Sequence, residues 1–308
     1  MPIAETLQPL STIKDFIRWG SSEFARRQLV FGHGFESARD EARYLVLHAL
    51  ALPHDWPEED LNAMLTLPER EQVVELLQAR IDTRRPAAYL TGESWFCGLR
   101  FKVDERVLVP RSPIAELIGN RFEPWIDSGR VSRILDLCTG SGCIAIAARY
   151  QFPDAQVAAS DISGAALEVA ADNLEMHGLA DHIELYESDL FASIPDRRFD
   201  VIVCNPPYVD AEDMAALDEE FSHEPELGLR AGQDGLAVVD RILAAAGDYL
   251  DDDGVIFIEV GNSATALQQK YEFLPLVWIE FEFGGGGVCC IDARDLKRQR
   301  DAITALAS

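Results

Sequence analysis

Positive charge is scarce in this sequence of 308 residues, in which 27 lysines and arginines face 53 aspartates and glutamates, for a formal net charge of −26. Nucleic acid is repelled by such a surface and gains no counterion release, so the composition argues against direct nucleic-acid binding. A basic protein would instead be attracted. Acidity also keeps proteins in solution, and composition alone leaves that interpretation open.

Long apolar runs and paired cysteines are also missing. No apolar run approaches the roughly 18 residues that a membrane helix needs, and the first residues lack the basic and apolar parts of a secretory signal. The six cysteines are scattered, without a Cys-x-x-Cys pair or a histidine cluster. We therefore expect a cytoplasmic protein with no membrane association, no disulfide framework and no metal site.

The first 90 residues predict a small helical domain. Apolar residues recur at helical spacing after Ile13 and again after Ala42, and Pro68 suits the first turn of a third helix. Aromatic residues around Gly98 then predict a β-hairpin within a linker that covers residues 91–113.

Strands and helices alternate from residue 131 onward, which predicts an α/β domain at 114–308 with a parallel, doubly wound sheet. The expected strands are 133–137, 156–160, 182–187, 200–204 and 255–260, and the expected helices are 143–151, 165–177, 236–250 and 263–271. Glycines 284–287 separate two further expected strands, 275–283 and 288–292. They predict an antiparallel hairpin at the end of the sheet.

A glycine-rich loop joins the first of these strands to the first helix. Gly140 and Gly142 allow a tight turn and a close approach of the backbone to a ligand. The spacing matches the dinucleotide fingerprint, with Asp161 about 20 residues further on. By itself the loop is compatible with NAD, FAD, S-adenosylmethionine or a turn that binds nothing.

Three aspartates at successive strand ends favour S-adenosylmethionine. An anion at Asp136 suits a cationic amino acid and opposes a pyrophosphate. Asp161 can accept the ribose hydroxyls and Asp189 the adenine amine, while Leu190 can pack on the ring. Each aspartate alone is more often a loop residue or a helix cap. The expected cofactor-binding residues are Asp136, Cys138, Thr139, Gly140, Ser141, Gly142, Asp161, Asp189, Leu190 and Asn205.

The segment Asn205-Pro206-Pro207-Tyr208 follows the fourth strand and is the expected catalytic motif. Two prolines stiffen the loop, so that the side-chain oxygen of Asn205 and the carbonyl of Pro206 form two rigid acceptors for an NH₂ group. Tyr208 offers a flat face to a planar substrate. In isolation, the same four residues would also suit a turn that merely ends a strand.

These motifs together resemble the class I methyltransferases that modify glutamine side-chain amides, and the resemblance covers nearly the whole chain. Further matches are Arg85–Gly92 and Val109–Arg111. The segments Trp95–Gly98, Asp136–Cys143 and His223–Leu229 resemble the branch that acts on large-subunit ribosomal protein three. Cys138 replaces a glycine that is common in the wider family, and four glycines at 284–287 stand where relatives often have an acid.

The resemblance implies a seven-stranded, mostly parallel sheet with an antiparallel terminal hairpin, and S-adenosylmethionine as a cofactor that leaves as S-adenosylhomocysteine. It implies a basic ribosomal protein as substrate, which the acidic surface would attract and which we expect residues 1–90 to recognise. Release factors, adenine in nucleic acid, a NAD-dependent dehydrogenation and a non-catalytic assembly scaffold remain as alternatives. The sequence gives no oligomeric state.

Overall fold

The computed structural model describes residues 9–307, which form two compact units. The first unit comprises the described residues up to Glu93 together with Asp218–His223, and the second comprises Ser94–Leu217 and the residues from Glu224 onward. In the described part of the chain, no helix has the length and apolar character needed to cross a membrane.

The first unit is helical, as the sequence predicts for this region. Its elements are α1 (Ile13–Arg26), α2 (Ala38–Ala49), α3 (Leu67–Thr83), α4 (Ala87–Thr91) and the 3₁₀ turns Glu58–Asn62 and Glu219–His223. Thr12 and Asp15 form a reciprocal capping box that starts α1. Apolar side chains of α1, α2 and α3, among them Phe16, Leu45 and Leu77, make the core.

A buried ion pair binds Asp218–His223 into the first unit. Arg80 is completely buried, and its guanidinium lies 2.5 Å from the carboxylate of Glu41 and 3.6 Å from that of Glu220. Glu220 also accepts a hydrogen bond of 3.0 Å from the backbone N–H of Val30. A buried charge is tolerated only when it is paired, so these contacts fix the segment in place.

The second unit contains an α/β sheet and a separate hairpin. The hairpin is formed by β1 (Glu93–Phe96), of which all but Glu93 belong to this unit, and β2 (Leu99–Lys102). The remaining elements are α5 (Ile114–Gly119), β3 (Arg133–Leu137), α6 (Cys143–Gln151), β4 (Gln156–Asp161), α7 (Gly164–Met176), β5 (Ile183–Glu187), β6 (Phe199–Cys204), α8 (Ala211–Ala216), α9 (Ala237–Tyr249), β7 (Leu250–Glu259), α10 (Ala264–Lys270), β8 (Val277–Trp278), β9 (Val288–Asp292), α11 (Ala293–Arg298) and α12 (Arg300–Leu306).

The sheet has seven strands in the order β5-β4-β3-β6-β7-β9-β8. Strands β3 to β7 are parallel, and β9 and β8 are antiparallel additions. Alternate residues of the strands enter two different apolar clusters, as Val201 and Ile202 of β6 do, so both faces are covered. The predicted class I methyltransferase fold is confirmed.

The end of the chain differs from the expectation in two ways. The strand expected at 275–283 is a strand only at Val277–Trp278, with one further backbone hydrogen bond to β9, from Ile279 N–H to the Val288 carbonyl. Further along, the backbone amides of Glu282 and Phe283 donate to the carboxylate of Glu116 in α5 instead of to a neighbouring strand. Helices α11 and α12 follow β9, a region for which the sequence analysis predicts no element.

Candidate active site

The carboxyl ends of the parallel strands bring the predicted site residues to one edge of the sheet. Leu137 of β3 lies between Ser160 of β4 and Cys204 of β6 in the register, and Asp161 pairs with Glu187 of β5. The loops that follow these residues carry the glycines, Asp189 and Asn205. Ligands of open α/β sheets bind at this edge.

The glycine loop folds through left-handed backbone conformations. Gly140 has φ of 55° and Gly142, the residue that caps α6, has φ of 79°. Cys138 also has a positive φ, 58°, which costs a residue with a Cβ about 1 kcal/mol or more. This conformation favours glycine, so Cys138 is a strained position of the loop. Backbone hydrogen bonds complete the loop, from Thr139 N–H to the Ser160 carbonyl at 3.0 Å and from Gly142 N–H to the Thr139 carbonyl at 2.9 Å.

Asp136 lies beneath this loop and is fully buried. Its Oδ2 accepts hydrogen bonds from the hydroxyl of Thr139 at 2.5 Å and from the backbone N–H of Ala145 at 3.1 Å. Its Oδ1 has no partner within the described residues. Burial raises the pKa of Asp136 to about 7. The carboxyl group therefore ties β3 to the start of α6.

Asp161 connects the second strand to the same loop. Its Oδ2 accepts a hydrogen bond from the backbone N–H of Gly140, and its Oδ1 accepts one from Ser163, both at 2.9 Å. Burial raises the pKa of this carboxyl group. Each carboxylate oxygen can accept more than one hydrogen bond, so the side chain can still accept ribose hydroxyls.

Asp189 pairs with an arginine that the sequence analysis missed. The guanidinium of Arg241, in α9, lies 2.8 Å from Oδ2 of Asp189, and both side chains are exposed. The neighbouring Leu190 is buried and has a positive φ of 54°. Arg241 is more than 50 residues away in the sequence, and no local motif marks it.

The segment Asn205–Tyr208 leaves β6 at the same edge. Asn205 is half-buried and Pro206 is buried. Among the hydrogen bonds formed by residues 9–307, none involves the Asn205 carboxamide. The thiol of Cys204, just before this segment, has a pKa raised by burial and by a hydrogen bond with Cys138. Cys204 lies beside Leu137 in the register of β6 and β3, so the acceptor loop and the glycine loop leave neighbouring strands.

Tyr208 is held by residues that the sequence analysis did not select. Its hydroxyl donates to Oε1 of Glu259 at 3.1 Å, and its carbonyl accepts a hydrogen bond of 2.9 Å from the hydroxyl of Ser263. Burial is the main cause that raises the pKa of Tyr208, and the Glu259 carboxylate adds to it. Glu259 and Ser263 lie in and just after β7, far from the motif in sequence.

Comparisons with known proteins agree with this architecture. The model of the methyltransferase small domain matches residues 123–232. The ribosomal protein uL3 glutamine methyltransferase of Xanthomonas campestris pv. campestris is 49% identical over 306 residues, with 99% of each chain covered. The ribosomal protein uL3 glutamine methyltransferase of Xylella fastidiosa is 48% identical over 299 residues, with 97% of this chain and 96% of the relative covered.

Among solved structures, a ribosomal protein L11 methylase from Lactobacillus delbrueckii subsp. bulgaricus is 20% identical, with a TM-score of 0.39, and the match covers 57% of this chain and 74% of that one. The two relatives match nearly the whole chain at close to half identity. The chain belongs to the family of ribosomal protein uL3 glutamine methyltransferases, and it is a class I methyltransferase that uses S-adenosylmethionine as its methyl donor.

Proposed function

We propose that this enzyme methylates the side-chain amide nitrogen of a glutamine in ribosomal protein uL3. Two relatives of that name match nearly the whole chain. The observation that supports the chemistry is the position of Asn205 and Pro206, which directly follow β6 at the carboxyl edge, beside the strand that leads into the glycine loop.

The residues at the carboxyl edge fit S-adenosylmethionine. Gly140 leaves room for close approach of the ligand, since a Cβ there would meet nothing within 4 Å. A Cβ on Gly142 would lie 3.3 Å from Ala170 of α7, so this glycine serves the packing of the loop against that helix. The carboxylate of Asp161 has free lone pairs for ribose hydroxyls, and Asp189 is exposed next to the buried Leu190. We assign cofactor binding to Asp136, Cys138, Thr139, Gly140, Ser141, Gly142, Asp161, Asp189, Leu190 and Asn205. When bound, the cofactor supplies an electrophilic methyl group on a sulfonium.

The acceptor loop prepares the nucleophile. An amide nitrogen is a poor nucleophile because its lone pair is delocalised into the carbonyl group. Asn205 Oδ1 and the Pro206 carbonyl accept its two hydrogens, which raises the electron density on nitrogen and fixes its direction. Positive charge develops on nitrogen during transfer, so fixed dipoles stabilise the transition state more than the ground state. Tyr208 stacks on the planar amide, and Pro207 keeps the loop stiff.

No dedicated base is needed for this step. Methyl transfer leaves the amide nitrogen with a positive charge and one proton too many. An amide protonated on nitrogen is a strong acid, so this proton leaves to water through the acceptors.

The acidic surface suits a protein partner with a basic surface. With a net charge of −26, the enzyme attracts such a substrate over distances of about 8 Å at physiological ionic strength. We assign recognition to the helical N-terminal region, residues 1–90, and methyl transfer to residues 114–308. The cysteines, which are free, suit the reducing cytoplasm, where ribosomal proteins await assembly.

The proposal is tested by incubating the enzyme with labelled methyl donor and, in separate reactions, purified uL3, release factors and DNA. Mass spectrometry of the labelled species should find one methyl group on a glutamine of uL3. Label on release factors alone would change the substrate and keep the chemistry. Label on an adenine amine, or no transfer to any of the three, would contradict the proposal.

Ionic strength separates the two interpretations of the acidic surface. If charge steers the substrate, the association rate with uL3 should fall as salt is added. An association rate that does not change with salt would leave the acidity as a feature that only keeps the protein in solution.

A further inference from the structure

We infer that Glu259 is a positioning residue, which accepts the hydroxyl of Tyr208 and so fixes the ring that packs on the substrate amide. This inference rests on the proposed function, because it concerns the same acceptor loop. Glu259 lies in a different strand from the acceptor loop. It acts through Tyr208 and does not touch the substrate.

Glu259 is a buried acid that is satisfied by two hydroxyl groups. It ends β7 at the carboxyl edge of the sheet, and only 5% of its surface is exposed. Tyr208 donates to Oε1 at 3.1 Å, and the hydroxyl of Ser112 donates to Oε2. Ser112 in turn accepts a hydrogen bond of 3.1 Å from the backbone N–H of Ile114.

The arginine nearest in sequence to Ser112 makes its hydrogen bonds elsewhere, although its positive charge also acts on Glu259. Arg111 makes a two-pronged contact with the carboxylate of Glu224, at 2.5 and 2.8 Å. Burial raises the pKa of Glu259, against the opposing effects of its two hydroxyl donors and of the Arg111 charge. Burying an acid with hydroxyl partners costs stability that an apolar side chain would not, and such groups are concentrated at functional sites.

Tyr208 is fixed on its other sides as well. Its carbonyl accepts a hydrogen bond from Ser263. A Cβ at Gly261 would lie 2.5 Å from the tyrosine ring, so the glycine backbone packs directly against the ring. Gly235 likewise approaches the Tyr208 carbonyl and the Ser263 hydroxyl too closely for any side chain. The hydrogen bond to Glu259 therefore completes an enclosure and sets the tilt of the ring.

The tilt of this ring matters because Tyr208 is two residues from the carbonyl that grips the amide. Pro206 and Pro207 restrict the backbone between them, which leaves the side-chain torsions of Tyr208 as the soft coordinates of the loop. A misplacement of about 1 Å at a reacting centre can cost up to about 10²-fold in rate. The hydrogen bond from the Tyr208 hydroxyl to Glu259 restricts these side-chain torsions before the substrate binds.

The test compares variants that remove the acceptor, its charge or the hydroxyl. Glu259→Ala should lower kcat about 10-fold, as expected for a partly misaligned group. Glu259→Gln keeps an acceptor oxygen for Tyr208 and should recover most of that loss. Tyr208→Phe keeps the ring and should lose about as much as Glu259→Ala. The affinity for S-adenosylhomocysteine, measured by calorimetry, should stay within about twofold in all three.

The double variant Glu259→Ala with Tyr208→Phe decides whether the two residues act as one. If Glu259 acts through the hydroxyl, the double variant should be no slower than the slower single variant. If the losses of kcat in the two single variants multiply in the double variant, the inference is wrong. It is also wrong if Glu259→Gln is as slow as Glu259→Ala, since that result would assign a role to the charge. If Glu259→Ala fails to fold, Tyr208→Phe alone decides, because an unchanged kcat would make the hydrogen bond irrelevant.

The chain offers a matched control with the same chemistry elsewhere. Asp240 is 8% exposed and accepts the hydroxyl of Tyr271 at 2.8 Å. Tyr271→Phe removes an equivalent tyrosine–carboxylate bond and should leave kcat unchanged. A loss of kcat in Tyr271→Phe equal to that in Tyr208→Phe would show that only general stability is being measured.

Failure of the inference differs from failure of the proposed function. If Asn205→Ala lowers kcat and the Glu259 and Tyr208 variants do not, the acceptor mechanism stands and only the positioning role is lost. If Asn205→Ala also keeps full activity, the proposed mechanism itself is wrong.

Discussion

The two loops of the active site are held in place by different kinds of contacts. The glycine loop is stabilised by residues close to it in sequence, through the carboxyl groups of Asp136 and Asp161. The acceptor loop is stabilised by Glu259 and Ser263, which lie more than 50 residues further along the chain. The glycine loop is therefore held by nearby residues of the chain, and the acceptor loop depends on the pairing of β6 with β7.

This difference predicts that variants in the two loops will affect different measured properties. Changes in the glycine loop should alter cofactor affinity and stability, and changes around the acceptor loop should alter kcat. The variants below test that separation, beginning with the largest expected effect.

Asn205→Ala removes one of the two fixed acceptors. We expect kcat to fall by about 10²-fold or more, in line with the loss of one fixed polar group at a reacting centre. Calorimetry should show S-adenosylmethionine still bound with nearly the affinity of the wild type. A normal turnover number would show that Asn205 has no part in the mechanism. Loss of cofactor binding would contradict the expected difference between the two loops.

Asp161→Ala removes the acceptor assigned to the ribose. Hydrogen bonds to a charged group contribute about 1.5–3 kcal/mol each, so the dissociation constant should rise at least about 10-fold. Asp200→Ala is a matched control, because Asp200 also accepts backbone N–H bonds, from Ser132 and Arg133, but at the start of β6. That variant should lose stability and keep its affinity. Unchanged affinity in Asp161→Ala would make the ribose assignment wrong.

Gly261→Ala disturbs the acceptor loop from outside the motif. Gly261 has φ of 46°, and an added Cβ would lie 2.5 Å from the ring of Tyr208. The ring must move, so kcat should fall several-fold while cofactor affinity is retained. Gly98→Ala is a suitable control, since Gly98 also has a positive φ but a Cβ there meets nothing within 4 Å. If both variants keep full activity, the position of the ring does not limit the rate.

The contrast between the loops also explains what the sequence could predict. Gly140, Gly142 and Asp161 form a local pattern whose spacing indicates a strand, a turn and a ligand site. The parallel strands likewise follow from apolar runs, and the structure confirms the fold. Glu259 looks like any acid at a strand end, and only the register of β6 and β7, with Cys204 beside Ile258, brings it to Tyr208.

Long-range charge pairs escaped prediction for the same reason. Arg241 reaches Asp189, and Glu220 joins Arg80 in the helical unit, across separations for which the sequence carries no signal. The shortened strand at Val277–Trp278 is a related case, because the amides of Glu282 and Phe283, expected to lie in a strand, donate to Glu116 instead.

Asp136→Asn should affect the pH dependence of stability, a property separate from rate and affinity. The pKa of Asp136 is raised by burial to about 7, whereas an aspartate in the unfolded chain titrates near 4. Between these two pH values Asp136 is protonated in the folded protein and ionised in the unfolded chain. The carboxyl group therefore contributes stability that is full below about pH 4 and is lost as the pH rises to about 7.

Asparagine does not titrate, so the free energy of unfolding of Asp136→Asn should fall less steeply with pH in that window. The difference in slope should be at most about 1.4 kcal/mol per pH unit, the value for one proton. Denaturant titrations of both proteins without cofactor, between about pH 4 and 7, provide the measurement. Parallel curves would show that Asp136 is ionised in the folded protein throughout.

The central claim is that two fixed oxygens grip the amide of the target glutamine. A crystal structure of the enzyme with S-adenosylhomocysteine and a glutamine-containing segment of uL3 tests it most directly. The amide nitrogen should lie about 2.7–3.2 Å from both Asn205 Oδ1 and the Pro206 carbonyl oxygen, facing the cofactor sulfur. An Asn205 carboxamide that turns away from the sulfur, or a target glutamine bound outside this loop, would contradict the account.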